Sequence, residues 1–109
     1  QTHDLFEAMK HDGLRPKIVK VDGGMVMNNW FSQFLSDVVN VKVLRPKVQE
    51  TTALGAAFMA GLHIGVYKSL KDISRNWNLD KKFDPKMSKK SRSFFLQGWI
   101  KAIKRTLIN

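Results

Sequence analysis

An apolar stretch that ends in two adjacent glycines constrains this 109-residue chain more than any other feature. Ile18, Val19 and Val21 favour an extended strand, because branched side chains pack well on a pleated surface. Gly23 and Gly24 come next, and glycine adopts backbone angles that other residues avoid while leaving room for a ligand to approach the backbone. The stretch therefore predicts a strand that leads into a tight turn with an accessible main chain.

A helical pattern follows the glycine pair, with Asn28 and Asn29 near its first turn. Its apolar stripe consists of Trp30, Phe31, Phe34, Leu35, Val38 and Val39. The first turn of a helix has unpaired N–H groups, so a joint of strand, glycine turn and helix start suits a nucleotide. Asp-Gly-Gly is also typical of an ordinary tight turn and Asn of a helix cap, and these structural roles are the commoner ones.

The chain contains neither G-x-G-x-x-G nor G-x-x-x-x-G-K-[ST], so neither a dinucleotide fold nor a P-loop ATPase is supported. Its second informative stretch covers residues 45–62 and begins R-P-K-V-Q-E-T-T-A-L-G-A-A. Small residues recur there at helical spacing, which favours a helix packed closely against another element. Thr51 or Thr52 is the predicted cap of this helix.

The two stretches together, V-D-G-G-x-x-x-N-N and R-P-x-V-x-E-T-T-A-L-G-A-A, resemble the C-terminal part of the glycerol kinases. Residues 1–9 resemble the helix that precedes the first motif in that family, and residues 98–105 resemble its closing helix. The resemblance covers essentially the whole chain. It implies an α/β fold, part of an actin-like (ribonuclease H-like) ATPase domain, namely the C-terminal part of the second domain of a sugar kinase.

The resemblance implies an ATP-dependent phosphorylation of glycerol to glycerol 3-phosphate, with this chain on the adenosine side of the ATP site. Gly24 would lie against the nucleotide, Asn28 would reach it with its amide, and Gly23 would shape the turn. Adenine and ribose carry no charge, so backbone amides and an Asn are adequate partners. Met27 stands where the family has a small residue, and its bulk is expected to narrow the pocket.

The family's phosphate-binding hairpin, general base and glycerol-contacting residues match no part of this sequence and are expected upstream of it. No catalytic residue is therefore assigned, and Asp22 is interpreted as a turn residue. ATP would be bound as Mg-ATP in the complete enzyme, with no metal ligand from this chain. We expect no kinase activity from this polypeptide alone. The expected partners are ATP or ADP and either a separate N-terminal kinase chain or a second copy, since the strand at 18–21 would have its sheet neighbours upstream and leave an unpaired edge.

Positive charge is concentrated in the last 29 residues. Residues 1–80 carry 10 basic and 8 acidic side chains, whereas residues 81–109 carry 9 and 1. We divide the chain accordingly into a kinase-like part, 1–80, and a basic tail, 81–109, whose closing amphipathic helix has an apolar stripe of Phe95, Trp99, Ala102 and Ile103 packed on the domain. The alternative is a non-catalytic basic module that binds nucleic acid or an anionic surface.

Other chemistry is sparse in the sequence. There is no cysteine, and the three histidines lack zinc-ligand spacing, so no metal site is predicted. We expect no transmembrane segment and a cytoplasmic location. The predicted elements are helices at 1–11, 28–39, 52–66, 68–77 and 88–107, strands at 17–21 and 41–44, and a loop at 78–87 around Pro85.

Overall fold

The computed structural model describes residues 1–107. This part of the chain contains five helices, three strands and one 3₁₀ turn. In chain order they are α1 (Thr2–His11), β1 (Ile18–Lys20), the glycine turn (Gly24–Met27), α2 (Asn29–Val39), β2 (Lys42–Pro46), α3 (Thr51–His63), α4 (Leu70–Ser74), β3 (Leu79–Phe83) and α5 (Lys89–Thr106). Most predicted elements are confirmed within two residues, although α3 and α4 each end three residues earlier than predicted. The last two residues of the predicted tail 81–109 lie outside the described range.

The predicted loop at 78–87 is wrong in its first half, because Leu79–Phe83 forms β3. Three charged residues fill the middle of this segment, so neither an apolar run nor a clean alternation marks it as a strand. Pairing with β2 creates the strand instead, with Val43 opposite Phe83 and Arg45 opposite Lys81. Only Phe83 is buried, and the charged side chains remain exposed.

The three strands form one sheet in the order β1-β2-β3. β1 and β2 are parallel, as expected when a helix such as α2 connects them, and β2 and β3 are antiparallel. The expectation that the neighbours of β1 all lie upstream is therefore wrong, because β2 follows it in the sequence. The other edge of β1 pairs with no strand from residues 1–107, so an open edge is present as predicted.

The core is small and surrounds α2, which packs against α1, the glycine turn, β2 and β3. Its buried apolar residues are Phe6, Val26, Val39, Val43 and Phe83. Two fully buried serines of α2 complete it. The Ser32 hydroxyl donates to the Val26 carbonyl at 2.8 Å, and Ser36 Oγ lies 2.8 Å from the carbonyl oxygen of Val41. These bonds remove the cost of burying the hydroxyls and tie α2 to the neighbouring loops.

Asp37 at the end of α2 fixes the entry into α5. Its carboxylate accepts backbone N–H bonds from Lys86 at 2.5 Å and Met87 at 3.0 Å. In return, the guanidinium of Arg92 donates to the carbonyls of Asp37 at 2.6 Å and Met87 at 3.1 Å. Ser88 caps α5 as predicted, by accepting a bond from the backbone N–H of Ser91.

α5 packs on α2, and its contact stripe differs from the predicted one. Leu96, Trp99 and Ile103 are half-buried, whereas Ala102 is exposed and Phe95 is 45% exposed, with its ring perpendicular to that of Phe34. Trp99 Nε1 also donates to a carboxylate oxygen of Asp4 in α1 at 2.7 Å. This bond is the main cause that lowers the pKa of Asp4 below its usual value.

The chain exposes far more surface than a compact monomer of its size. The accessible surface is 8384 Å², whereas the scaling for monomeric proteins gives about 6200 Å² at this mass. The radius of gyration is 17.5 Å, against about 13 Å for a compact domain of this length. Large apolar side chains are among the exposed ones, including Leu5, Ile18 and Phe94. Within residues 1–107, no helix has both the length and the hydropathy to cross a membrane.

Two glycines of α3 are expected to respond oppositely to alanine. A Cβ on Gly55 would meet no atom within 4 Å, so Gly55→Ala should raise the free energy of unfolding by up to about 1 kcal/mol through helix propensity. A Cβ on Gly61 would lie 2.9 Å from the ring of Tyr67, whose backbone N–H is bonded to the Gly61 carbonyl. Gly61→Ala should therefore destabilise by about 1–3 kcal/mol. Urea unfolding of both variants measures the difference, and equal effects would contradict the close contact with Tyr67.

Candidate functional site

Three residues separate the glycine turn from the end of β1, and two backbone bonds join this connection to the chain of β2 and the loop after it. The backbone N–H of Val21 still bonds to the carbonyl of Leu44 at 3.1 Å, and that of Gly23 bonds to the carbonyl of Gln49 at 3.3 Å. Gly23 then adopts φ 87°, a left-handed value that strains residues with a side chain. Gly23 therefore turns the chain out of the sheet, as the sequence predicts.

Gly24 presents an open backbone at the start of this turn. It is exposed, its φ lies outside the left-handed region, and a Cβ built on it would meet no atom within 4 Å. The absence of a side chain at Gly24 is thus not required by the conformation or packing of the described residues. What remains is space beside the main chain, which a ligand can approach closely.

Asn28 connects the glycine turn to α2 and caps the helix. Its side-chain oxygen accepts a bond from the backbone N–H of Phe31 at 3.2 Å. Asn28 is therefore a helix cap, the structural role that the sequence analysis gave as an alternative to ligand binding. Capping uses the oxygen, and an amide also has two N–H donors. Because Asn28 is exposed, these donors are accessible from solvent.

The side chains of the glycine turn divide between core and solvent. Val26 is 5% exposed and anchors the turn in the core. Met25 and Met27 on either side of it are 70% and 53% exposed. Met27 is thus outside the core, next to the open backbone, and its predicted narrowing of the pocket stays a prediction.

A buried arginine binds the carbonyl groups of the glycine turn from the interior of the protein. Arg45 of β2 is 6% exposed, and its Nη1 donates to the carbonyls of Val26 at 2.8 Å and Met27 at 3.0 Å. Its Nε donates to a carboxylate oxygen of Asp80 in β3 at 2.7 Å. The sequence analysis missed this role of Arg45. A signal was available, because Arg45 lies two residues after Val43 in a strand and so shares its inward face.

Asp22 and Thr51 join the turn to the start of α3. The Thr51 hydroxyl donates to the Asp22 carboxylate, so Asp22 bonds to a distant side chain and not to its own downstream backbone. The prediction that Thr51 or Thr52 caps α3 is also wrong. Glu50 occupies the cap position without a side-chain bond, and the hydroxyl of Thr51 is used by Asp22 instead.

An apolar groove of about 500 Å³ lies elsewhere, between α1, α2 and α5. Phe34, Leu35 and Trp99 line it, and none of its lining residues belongs to the glycine turn. Its walls offer little polar chemistry, whereas the turn combines an open backbone with amide donors. In residues 1–107, no three His, Asp or Glu side chains are placed to hold a metal ion. The turn is therefore the candidate functional site among the described residues.

Comparison with known proteins identifies relatives of this arrangement. The model of the FGGY family of carbohydrate kinases, C-terminal domain, matches residues 1–64. Glycerol kinase 1 of Pseudomonas aeruginosa is 50% identical over 105 residues, which cover 96% of this chain and 21% of that protein. A glycerol kinase of Ectopseudomonas mendocina is also 50% identical, over 106 residues and the same shares. The chain thus spans about a fifth of these relatives.

Solved structures give the same result for the fold. The crystal structure of Plasmodium falciparum glycerol kinase with ADP superposes with a TM-score of 0.78 at 36% identity, over 99% of this chain and 22% of that one. A xylulose kinase from Lactobacillus acidophilus gives a TM-score of 0.68 at 22% identity, over 86% and 19%. The predicted fold, part of the actin-like ATPase fold of sugar kinases, is confirmed. The chain belongs to the FGGY family of carbohydrate kinases and corresponds to part of their C-terminal domain.

Proposed function

We propose that this chain supplies the adenosine side of the ATP site of a glycerol kinase, which transfers a phosphoryl group from ATP to glycerol and forms glycerol 3-phosphate. The observation that carries the proposal is the open backbone of Gly24 beside the exposed amide of Asn28, at a joint of strand, turn and helix. The relatives that cover 96% of the chain are glycerol kinases, and the Plasmodium falciparum relative was solved with ADP.

The chemistry of the turn suits adenosine better than phosphate. Adenine and ribose are neutral and offer donors, acceptors and a flat apolar face. The main chain at Gly24 permits close approach, the amide of Asn28 has free N–H donors, and Met27 provides apolar contact. Arg45 is a basic group in contact with the turn, but Asp80 and two carbonyls occupy its guanidinium. Phosphates would therefore be bound by groups outside this site.

Phosphoryl transfer needs a positioned nucleophile and neutralisation of the phosphate charge by metal and donors. We assign none of these tasks to residues of this chain, so it would be inactive alone and would act together with the remainder of a kinase, on the same or a separate chain. The division into 1–80 and a basic tail 81–109, and the cytoplasmic location, stay predictions. None of the relatives reported above is described as a nucleic-acid or membrane-binding protein, so the basic-module alternative has no support from them.

Complementation tests the proposal directly. The 109-residue chain would be mixed with a purified polypeptide that covers the remaining N-terminal part of the Pseudomonas aeruginosa relative, and ATP-dependent glycerol phosphorylation would be measured. We expect activity only in the mixture, because neither piece holds the complete site. Activity of the chain alone, or of the N-terminal piece without it, would overturn the proposal.

Gly24→Ala should weaken nucleotide binding without unfolding the chain. Its methyl group meets no protein atom, but it would enter the space assigned to the nucleotide. We expect ADP affinity of the complemented enzyme to fall at least roughly tenfold, the effect of about 1.4 kcal/mol of steric conflict. Gly98→Ala is the matched control, since it also adds a methyl group in open space but lies in α5. Calorimetric titration with ADP measures both, and equal affinities would contradict the role of Gly24.

Two substitutions of Asn28 separate its capping role from its ligand role. Asn28→Ala removes the cap and should lower the free energy of unfolding by about 1 kcal/mol, whereas Asn28→Ser retains a capping oxygen and should cost little. Both remove the amide donors, so both should weaken ADP binding. Chemical unfolding and ADP titration of the two variants test this. Native affinity in Asn28→Ser would show that the cap is the whole function of Asn28.

A further inference from the structure

We infer that Arg45 is a positioning residue for the candidate nucleotide site, because it fixes the orientation of the last two peptide groups of the glycine turn. Nη1 of Arg45 donates to the carbonyls of both Val26 and Met27, at 2.8 and 3.0 Å. One nitrogen thus bridges consecutive carbonyls and holds them on the same side of the chain. The consequence for nucleotide binding rests on the proposed function, whereas the effect on the turn does not.

Peptide planarity transmits this contact to the site. The carbonyl of Met27 and the N–H of Asn28 belong to one rigid plane, so fixing the carbonyl also fixes the start of Asn28. The same N–H bonds to the carbonyl of Met25 at 3.2 Å, which closes the 3₁₀ turn. Arg45 therefore fixes the peptide group from which Asn28 and its side chain extend.

Asp80 directs the guanidinium and compensates its burial. Arg45 has only 7% of its side chain exposed, and a buried cation is costly unless it is paired. Asp80 accepts from Nε at 2.7 Å on the β3 side, which leaves Nη1 facing the turn. A planar guanidinium suits this task because its donors have a fixed geometry, whereas a lysine ammonium provides a single point charge.

Ser32 strengthens the same attachment from α2. Its hydroxyl donates to the Val26 carbonyl at 2.8 Å, so this one oxygen accepts bonds from both α2 and β2. Ser32 is completely buried, and its bond therefore does not compete with water. The glycine turn is thus held between a helix and a strand by side chains that do not contact the open face at Gly24.

Amide hydrogen exchange of the full 109-residue chain tests the inference. The reporters are the N–H groups of Val26 and Asn28, whose bonds to Gly23 and Met25 close the turn. Arg45→Met should accelerate their exchange about tenfold or more relative to the unfolding-limited amides of α2, and Arg45→Lys and Ser32→Ala should have smaller effects in the same direction. If these amides exchange in the variants only as fast as the chain unfolds globally, the inference is wrong.

Arg92→Met is the matched control. Arg92 also donates to two backbone carbonyls, but these belong to Asp37 and Met87. Its removal should change exchange around those residues and leave Val26 and Asn28 at their native ratio to the α2 amides. Acceleration of the turn amides by both arginine substitutions would mean that Arg45 acts only through general stability.

An exchange of partners distinguishes positioning from simple ion pairing. The double variant Arg45→Asp with Asp80→Arg can restore a salt bridge between β2 and β3, but it places a carboxylate below the carbonyls of the turn. We expect the strand pairing to recover while the turn amides still exchange fast. Native protection of Val26 and Asn28 in the double variant would overturn the inference, because the ion pair alone would then suffice.

A nucleotide measurement separates this inference from the proposed function. In the complemented enzyme, Arg45→Met should weaken ADP binding, and Arg45→Lys should recover part of the affinity. Rapid exchange of the turn with ADP affinity unchanged would overturn the link to the site. If the native mixture binds no ADP, the proposed function fails, and the exchange data still decide whether Arg45 fixes the turn.

Discussion

The described structure depends on β2, the one strand of its sheet that is paired on both sides. β1 lies parallel to β2 and β3 lies antiparallel to it, so β2 joins the N-terminal strand of the sheet to the C-terminal one. Its inward face carries first Val43, with no exposed surface, and then Arg45. The apolar side chain forms the centre of the core, and the charged one holds the glycine turn. One strand thus contributes both to the packing of the core and to the support of the glycine turn.

The small core has a direct consequence for how such a chain is stabilised. Few apolar side chains are buried, and much apolar surface, together with the outer edge of β1, faces solvent. A partner that covers this surface binds the folded chain and not the unfolded one, and so adds to its stability by mass action. The remainder of a kinase is the occupant that the proposed function requires. Fold stability and completion of the ATP site would then arise from the same association.

The sequence was sufficient for those parts of the fold that have a local signal. Periodicity and capping residues predicted α2 and α5, and branched residues before the glycine pair predicted β1. β3 had no such signal, because its residues become a strand only through hydrogen bonds with β2. The same reason applies to the site. The resemblance proposed Gly23, Gly24 and Asn28 from one short stretch of sequence, and their ligand role stays a prediction, whereas the contacts of Arg45 join residues 18 or more positions apart.

The glycine turn has an open face at Gly24 and a buried side held by Arg45 and Ser32. This arrangement reduces the conformational entropy that the turn would lose on binding a ligand. A turn with adjacent glycines loses much conformational freedom when a ligand fixes it, about 1–2 kcal/mol for each residue. If the turn is already ordered in the folded chain, this entropy loss does not reduce the free energy of binding. Under the proposed function, a side chain at Gly24 would enter the space assigned to the nucleotide, so the turn could not be stiffened from its open face. Arg45 and Ser32 stiffen it from the buried side, where a guanidinium and a hydroxyl can bind carbonyl oxygens without occupying the space that the ligand needs.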